Sequence, residues 1–517
     1  MNESIADAID VLPDYFAQHV LLSASALLLG VLLGLPLAVA VYRYPRVRWP
    51  ILAIVRLIQT IPGLALLALF YPLLLGLSAL TASLFGFGLP ALGFLPTVLA
   101  LTLYSLLPIL QNSVTGLIGI NADVIEAANA VGMTPTQRLL RVEAPLAAPV
   151  IMAGIRTAAV WTIGAATLST PIGQRSLGNF IFTGLQTENW ILVLLGCASA
   201  AALALITDQL LDLIQIGATR RDVRRFIVGL MGLIIGTGAS LTPLFSMHQN
   251  TYIIGAKNFS EQFILSELIA ERLEGEGYLT QRKDGLGSAV AFRALASGDI
   301  DVYVDYSGTL WANVLERRDI LSRDAMLTEL ARLLSERYGV VMLGSLGFEN
   351  AYALAMRRDR ALGLAVNTIE DLAPKAPKLK IGSDLEFLSR PEWFALKKDY
   401  ALDFGMLRSY TPTFMYHALE DGDVDVISAF SSDGRIAANE LLVLGDPKHS
   451  IPSYDAVILI SPKRAEDIAI RRALTPLIGS ISVEHMREAN FMVDRPQNKA
   501  SPKEAAHFLI DFLSAHP

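Results

Sequence analysis

The sequence predicts two unlike halves: an all-α polytopic membrane domain of about six spans, then an α/β two-lobed domain. Three observations carry this. Apolar runs of membrane-spanning length crowd residues 1–249. The charge composition then changes abruptly: residues 1–249 hold no lysine, 12 arginines and 11 acids, which leaves 30 basic and 38 acidic residues for 250–517. Finally, residues 251–517 alternate short β-like runs ("TYIIGA", "IDVYVDY", "AVILIS") with helical segments such as "SEQFILSELIAERLEG". The composition step marks a boundary between domains 1–249 and 250–517. The acidic second half argues against nucleic acid as a partner.

In the first half, apolar runs fall at 17–42, 51–76, 86–111, 146–168, 190–216 and 226–246. Each reaches or exceeds the ~20 residues that cross the hydrocarbon core. Proline and glycine interrupt the second and third ("TIPGLALL", "FGFGLPALGFLP"), so their ends are open by several residues, and five or seven spans are the alternatives. Arginines orient them. Arg43, Arg46 and Arg48 follow the first run, Arg138 and Arg141 the third, and Arg220, Arg221, Arg224 and Arg225 the fifth. The alternate loops hold only Arg175. Positive loops face the cytoplasm, so the N-terminus is expected outside, and six spans place the second half outside as well. "TRRDVRR" reads as a topology anchor. The N-terminal "MNESIADAIDVLPDYFAQ" has four acids and no base, so it lacks the positive region of a signal peptide. The single cysteine, Cys197, lies in an apolar run and is expected to be a buried small hydrophobe.

Between the third and fourth runs, residues 122–145 carry Asp123, Glu126, Arg138, Arg141 and Glu143. Gly132 is placed to end one helix, and Thr134-Pro135 to start another as N-cap and first-turn proline. Pro145 and Pro149 are expected to break the pattern before the next span. A small-residue face at Ala127, Ala128 and Ala130 lets another surface approach closely. The stretch "EAANAVGMTPTQRLLRVEAPLAAPVIMAGI" resembles the EAA loop of ABC-importer permeases. The resemblance implies that Glu126, Ala127, Ala128 and Gly132 contact a cytoplasmic ATPase. "VEAP" departs slightly from the family's aliphatic-x-Leu-Pro ending. No Gly-Lys dipeptide occurs in the chain, so it has no phosphate-binding loop of its own and the ATPase must be a separate subunit.

The second half suits a clamp closing on ligand. Its lobes are expected at about 251–355 with 460–517 and about 356–459, with crossings near 353–358 and 455–462. Candidate binding residues sit at strand ends and turns. "GAKNFSEQ" offers Ser260, read as an N-cap, and Gln262. "DVYVDYSGT" offers Tyr306 and Thr309, with Tyr303 more in keeping with core. "GFENAYAL" offers Glu349 and Tyr352, and "AFSSDGRI" offers Phe430 and Ser432, with Asp433 suited to cap the following helix. In "GSDLEFLSRPEW", Arg390 suits a bidentate clamp on a carboxylate, or a structural pair with Asp384 or Glu386, while Phe387 and Trp393 suit packing. Together these segments resemble the binding domains of osmoprotectant importers, with their "KNFTEQ", "YWEYTGT", "FNNTYAL" and "YSTDGRI". Similar domains fused to the permease occur in importers of ergothioneine, a trimethylammonium derivative of histidine.

The resemblance implies a fused permease and substrate-binding subunit for a trimethylammonium zwitterion, in the cell membrane, without catalytic residues, metal or cofactor. A homodimeric permease, two ATPases, the zwitterionic ligand and the bilayer are the implied partners. A quaternary ammonium has no N–H to donate, so aromatic faces must hold it. The family's cage tyrosines fall on Tyr306 and Tyr352, with Phe430 in place of a third. Glu349 stands where betaine binders tend to have Asn, a departure that favours a ligand with ring N–H groups, such as ergothioneine. A ligand-gated receptor or channel with a clamp domain is the alternative. It would need a selectivity filter or a signalling domain, and the sequence offers neither. A secondary transporter finds few intramembrane acids beyond Asp208 and Asp212.

Overall fold

The computed structural model describes residues 3–86, 88–241, 251–317, 319, 321–448, 450–495 and 497–515. The expected domain boundary at 249/250 and the end of the sixth apolar run lie outside the described residues. The chain forms two compact units, a helical one built on residues 8–181 and 192–247 and an α/β one built mainly on 248–517.

In the helical unit, α1 (Glu3–Arg43) is a single long helix. The run 51–76 is not one span. Ile61 precedes Pro62 and is extended (φ −70°, ψ 126°), which divides the run into α2 (Pro45–Thr60) and α3 (Gly63–Phe85). A residue before proline resists helical angles, and α2 carries Arg46, Arg48 and Arg56, which bilayer hydrocarbon would not accept. The third run is likewise displaced to α4 (Phe94–Ile118), because Gly93 adopts φ +76° at its start.

The polar hairpin follows. Here α5 (Ala122–Ala130) ends at Gly132, with φ +78°, and α6 (Pro135–Arg138) begins with a capping box between Thr134 and Gln137. Pro145 and Pro149 do not break the chain as expected. Instead α6 passes through a π-turn, Leu139–Glu143, into α7 (Ala144–Ala166). The wider turn moves the carbonyl of Arg141 away from the Pro145 ring, with which a regular α-turn would collide. A short helix, α8 (Gly178–Gln186), precedes α9 (Trp190–Arg220) and α10 (Val223–Ala239). On α9 Cys197 is exposed and not buried as expected, because it lies on an outward face of an apolar helix. Five helical stretches among the described residues are long and apolar enough to cross a membrane: 8–43, 63–85, 94–118, 135–172 and 190–220. The sixth run appears as α10, with 17 residues.

The α/β unit holds two five-stranded sheets, ordered β2-β1-β3-β10-β4 and β7-β6-β8-β5-β9. The first contains β1 (Thr251–Lys257), β2 (Leu279–Leu286), β3 (Val302–Tyr306), β4 (Val341–Glu349) and β10 (Asp455–Ile460). The second contains β5 (Tyr352–Arg357), β6 (Lys380–Ser383), β7 (Met406–Ser409), β8 (Val426–Phe430) and β9 (Leu441–Val443). Central strand β10 ("DAVILI") is buried along its whole length, while edge strand β7 is exposed, as their composition dictates. The chain therefore crosses between sheets at 350–351 and 444–454, earlier than the expected 353–358 and 455–462. Tyr352 opens a strand of the second sheet, directly opposite Phe430, and does not close one of the first. The two crossings are joined where Asn350 N donates to Tyr454 O at 2.9 Å. Two helices flank them, α11 (Ser260–Gly275) and α12 (Val483–Asp494).

The turn after β8 seats directly on α12. A methyl group on Gly434 would lie 2.3 Å from Phe491 N and 2.5 Å from Asn490 C. Gly434→Ala is expected to destabilise this unit by about 1–3 kcal/mol, the usual cost of forcing atoms into a packed core. The change reads out as a lower thermal midpoint of the purified chain. Gly275→Ala, where a methyl meets nothing within 4 Å, should leave that midpoint unchanged or higher.

Candidate functional site

Strand ends and both crossings converge on a cavity of about 250 Å³ between the two sheets. Its aromatic wall is built on the β5/β8 register. Tyr352 and Phe430 are direct cross-strand partners, so their rings emerge on one face, 4.6 Å apart at 40°. Tyr454, from the second crossing, meets Tyr352 edge-on at 6.0 Å. Across the cavity Phe259 stacks on Tyr306 at 6.1 Å.

The floor is organised by Glu261, at the start of α11 and 3% exposed. Its carboxylate accepts from Tyr306 OH (2.6 Å), Asn350 Nδ2 (3.0 Å), Ser432 Oγ (2.5 Å) and Asn490 Nδ2 (2.8 Å). Burial pushes this carboxyl up from its ordinary pKa, and the four donors pull it back. Beside it, Ser260 Oγ donates to Asp494 Oδ1 at 2.6 Å, and Arg435 forks onto Asp433 at 2.8 and 3.0 Å. Lys257 is paired with Asp305 and lies 5.3 Å from the Tyr306 ring. Five carboxylates (Glu261, Asp384, Glu386, Asp433, Asp494) and three basic groups line the cavity. All three basic groups are ion-paired, so the excess charge is negative and suits a cation.

Of the candidate residues, Ser260, Tyr306, Thr309, Tyr352, Arg390, Phe430 and Ser432 line the cavity. Gln262 stands behind it, donating from Nε2 to Tyr306 OH at 3.0 Å. Ser260 is not the N-cap: Phe259 holds that position in extended conformation, and the Ser260 hydroxyl turns to Asp494. Glu349 requires a larger correction. It ends β4 with its side chain 39% exposed, 3.6 Å from Arg323, outside the cavity. The inward position belongs to Asn350, so the departure at Glu349 says nothing about ligand. Arg390 is corrected too. Its Nε and Nη2 fork onto Glu392 at 3.2 and 3.3 Å, and Nη2 also donates to Tyr454 OH at 2.8 Å. No bidentate edge remains for a ligand carboxylate. The guanidinium lies 5.1 Å from the Tyr352 centroid and braces the ring. Tyr303, Phe387 and Trp393 are core, and Asp433 caps the next helix through Arg435 N at 2.9 Å.

The sequence reading missed Glu261, Asn350, Tyr454, Asn490 and Asp494. Glu261 and Asn350 sit inside quoted motifs, next to residues that were chosen. Asn490 and Asp494 are an i, i+4 polar pair on α12, a signal legible in "ANFMVD". Tyr454 has no such marker.

On the hairpin, Glu126, Ala127 and Gly132 are exposed, but Ala128 is only 5% exposed. Ala128 therefore packs inward and is not available to a partner. The exposed apolar groups of residues 122–145 include Val124, Val131 and Leu140.

Residues 250–511 match the substrate binding domain of ABC-type glycine betaine transport systems, and residues 27–217 match the binding-protein-dependent transport system inner membrane component. The chain belongs to the ABC-type glycine betaine transport family. The ergothioneine transport permease/ergothioneine binding protein of Helicobacter pylori is 29% identical over 507 residues, 94% of this chain and 87% of that one. The choline transport system permease protein of Bacillus subtilis is 39% identical over 208 residues, 40% of this chain and 88% of that one. A solved structure described as a glycine betaine/carnitine/choline ABC transporter aligns at TM-score 0.45 and 27% identity, covering 51% of this chain and 98% of that one. Permease and binding domain are thus fused in one chain.

Burial pushes the Asp494 carboxyl up to about 6. Between pH ~4, the ordinary range, and pH ~6 the folded chain holds a proton that the unfolded chain has lost. The contribution to stability is therefore full below pH ~4 and lost as pH rises through ~6, by roughly 3 kcal/mol at most. Thermal midpoints measured from pH 4 to 7 should fall less steeply for Asp494→Asn than for the parent chain. Equal slopes would remove Asp494 as the titrating group.

Proposed function

We propose that this chain is the permease and substrate-binding subunit of an ATP-driven importer for trimethylammonium compounds: ergothioneine or the glycine betaine, choline and carnitine class. The aromatic wall of Tyr352, Phe430 and Tyr454 in a cavity with surplus carboxylate carries the reading. Ring faces and negative charge together favour a cation that cannot donate hydrogen bonds. The near full-length likeness to the ergothioneine protein, with the same fusion, supports ergothioneine as the first compound to test. ATP hydrolysis falls to a separate cytoplasmic subunit docked on the α5–α6 hairpin around Glu126, Ala127 and Gly132, and two permease chains form the pore.

The arginine distribution supports a cytoplasmic hairpin and an extracytoplasmic α/β domain. Arg175, the exception on the outer side, is paired with Asp14 at 2.7 Å. For the α/β domain to lie outside, α10 must be the sixth crossing. Its 17 residues span about 25 Å, close to the hydrocarbon thickness.

The full chain in nanodiscs, titrated by calorimetry with ergothioneine, glycine betaine, choline, carnitine and an ordinary amino acid, tests this. At least one trimethylammonium compound should bind, and Tyr352→Ala should weaken it about tenfold, the worth of a desolvated cation–π contact. Glu349→Asn should leave the ranking of ligands unchanged. Binding of the amino acid alone would overturn the reading.

A further inference from the structure

Glu143 is one of the few charged side chains of the helical unit that is nearly fully buried, at 2% exposure, and it sits at the last position of the π-turn. A buried carboxylate is costly unless it is paired, so its partners are informative. Arg138 Nε donates to Glu143 Oε1 at 2.7 Å, while Nη1 of the same guanidinium donates to Asn129 Oδ1 on α5 at 2.8 Å. Tyr42 OH, at the end of α1, donates to the same Glu143 oxygen at 3.5 Å. The next residue of α1 adds a second tie, since Arg43 Nη2 donates to Pro135 O at 3.4 Å. A single guanidinium thus spans from the exposed helix α5 to the base of α7, and Glu143 links that base to α1.

We propose that Arg138 and Glu143 are positioning residues that form the mechanical joint of the importer, carrying displacement of α5 onto α1 and α7. The proposal rests on the reading of the α5–α6 hairpin as the ATPase-docking element. The geometry favours transmission over simple bracing. A planar guanidinium held on two sides moves as a rigid strut. The π-turn beside it is the place where a helix can change its winding by one residue. Displacement of Asn129 then passes through the Arg138 guanidinium to Glu143 at the base of α7, and the longer contacts of Tyr42 and Arg43 extend the path to α1.

The full chain, reconstituted with the ATPase subunit that co-purifies with it, gives the test as substrate taken up per ATP hydrolysed. Glu143→Gln preserves shape and removes the charge. It should lower this ratio at least tenfold, while substrate affinity of the cleft stays within twofold. The charge exchange Arg138→Glu/Glu143→Arg should recover at least a third of the ratio, and Glu143→Gln should lose the ratio while still binding substrate and the ATPase, which a structural defect would not do. A ratio within twofold of the parent for Glu143→Gln overturns the proposal. So does failure of the exchange variant to recover the ratio although it binds substrate and the ATPase. Should Glu143→Gln not assemble, recovery by the exchange variant decides alone. Ala127→Trp, on the exposed hairpin face, separates the two readings: if it leaves ATPase co-purification intact, the docking assignment has failed and not the joint.

Discussion

The buried carboxylate of Glu261 is the constraint from which the α/β unit is best understood. An ion of this kind removed from water costs several kcal/mol unless its lone pairs are filled, and here four donors fill them. Those donors come from separate places: the end of β3, the first crossing, the turn after β8, and α12. Satisfying one charge therefore fixes the positions of both sheets' strand ends and of the helix behind them. Tyr306 is held through its hydroxyl, so its ring has one orientation. Asn350 is held through its amide, and its backbone in turn holds Tyr454. The β5/β8 register thus sets the rings of Tyr352 and Phe430, and the polar bonding beneath them sets Tyr306 and, through Asn350, Tyr454. Loss of a single donor would leave charge uncompensated and loosen several walls at once.

The helical unit obeys the same rule in a harsher solvent. Arg156 within α7 forks onto Asp208 of α9 at 2.8 Å for both bonds, and it also meets Asp212. Charges in such helices persist when they pair, and here the pairing ties α7 to α9. Arg138 and Glu143 repeat the pairing in the turns that lead into α7, through a single Nε–Oε1 bond of 2.7 Å.

Much of this was legible in the sequence, and the reasons for the rest are physical. Apolar run length and arginine placement show where helices lie, because hydrocarbon thickness and charge exclusion act on composition alone. The interruption at Ile61-Pro62 is legible in "TIPGLALL", but hydrophobicity averaged over the run does not show that it divides the run into two helices. Pro145 shows the reverse: a π-turn accommodates a residue that local rules treat as a breaker. In the cleft, ring-bearing motif residues such as Tyr352 and Phe430 could be named. Which of two adjacent residues faces inward could not. Glu349 and Asn350 are separated by one turn of backbone at a crossing, and the bend that turns Asn350 in depends on Tyr454, about a hundred residues away in the chain. Arg390 reads equally as a clamp or as a structural pair, and only the fold shows Glu386 and Glu392 occupying it.

The account holds that ring faces and surplus carboxylate recognise positive charge on a bulky onium group, and not merely its shape. The most direct measurement compares the tightest-binding trimethylammonium compound with its analogue in which carbon replaces the onium nitrogen. Both would be titrated against the full chain in nanodiscs. Shape and apolar area are nearly the same in the pair, so the difference isolates the charge. The neutral analogue is expected to bind at least about thirtyfold more weakly, some 2 kcal/mol. Equal affinities would contradict it and leave an apolar pocket that selects by size.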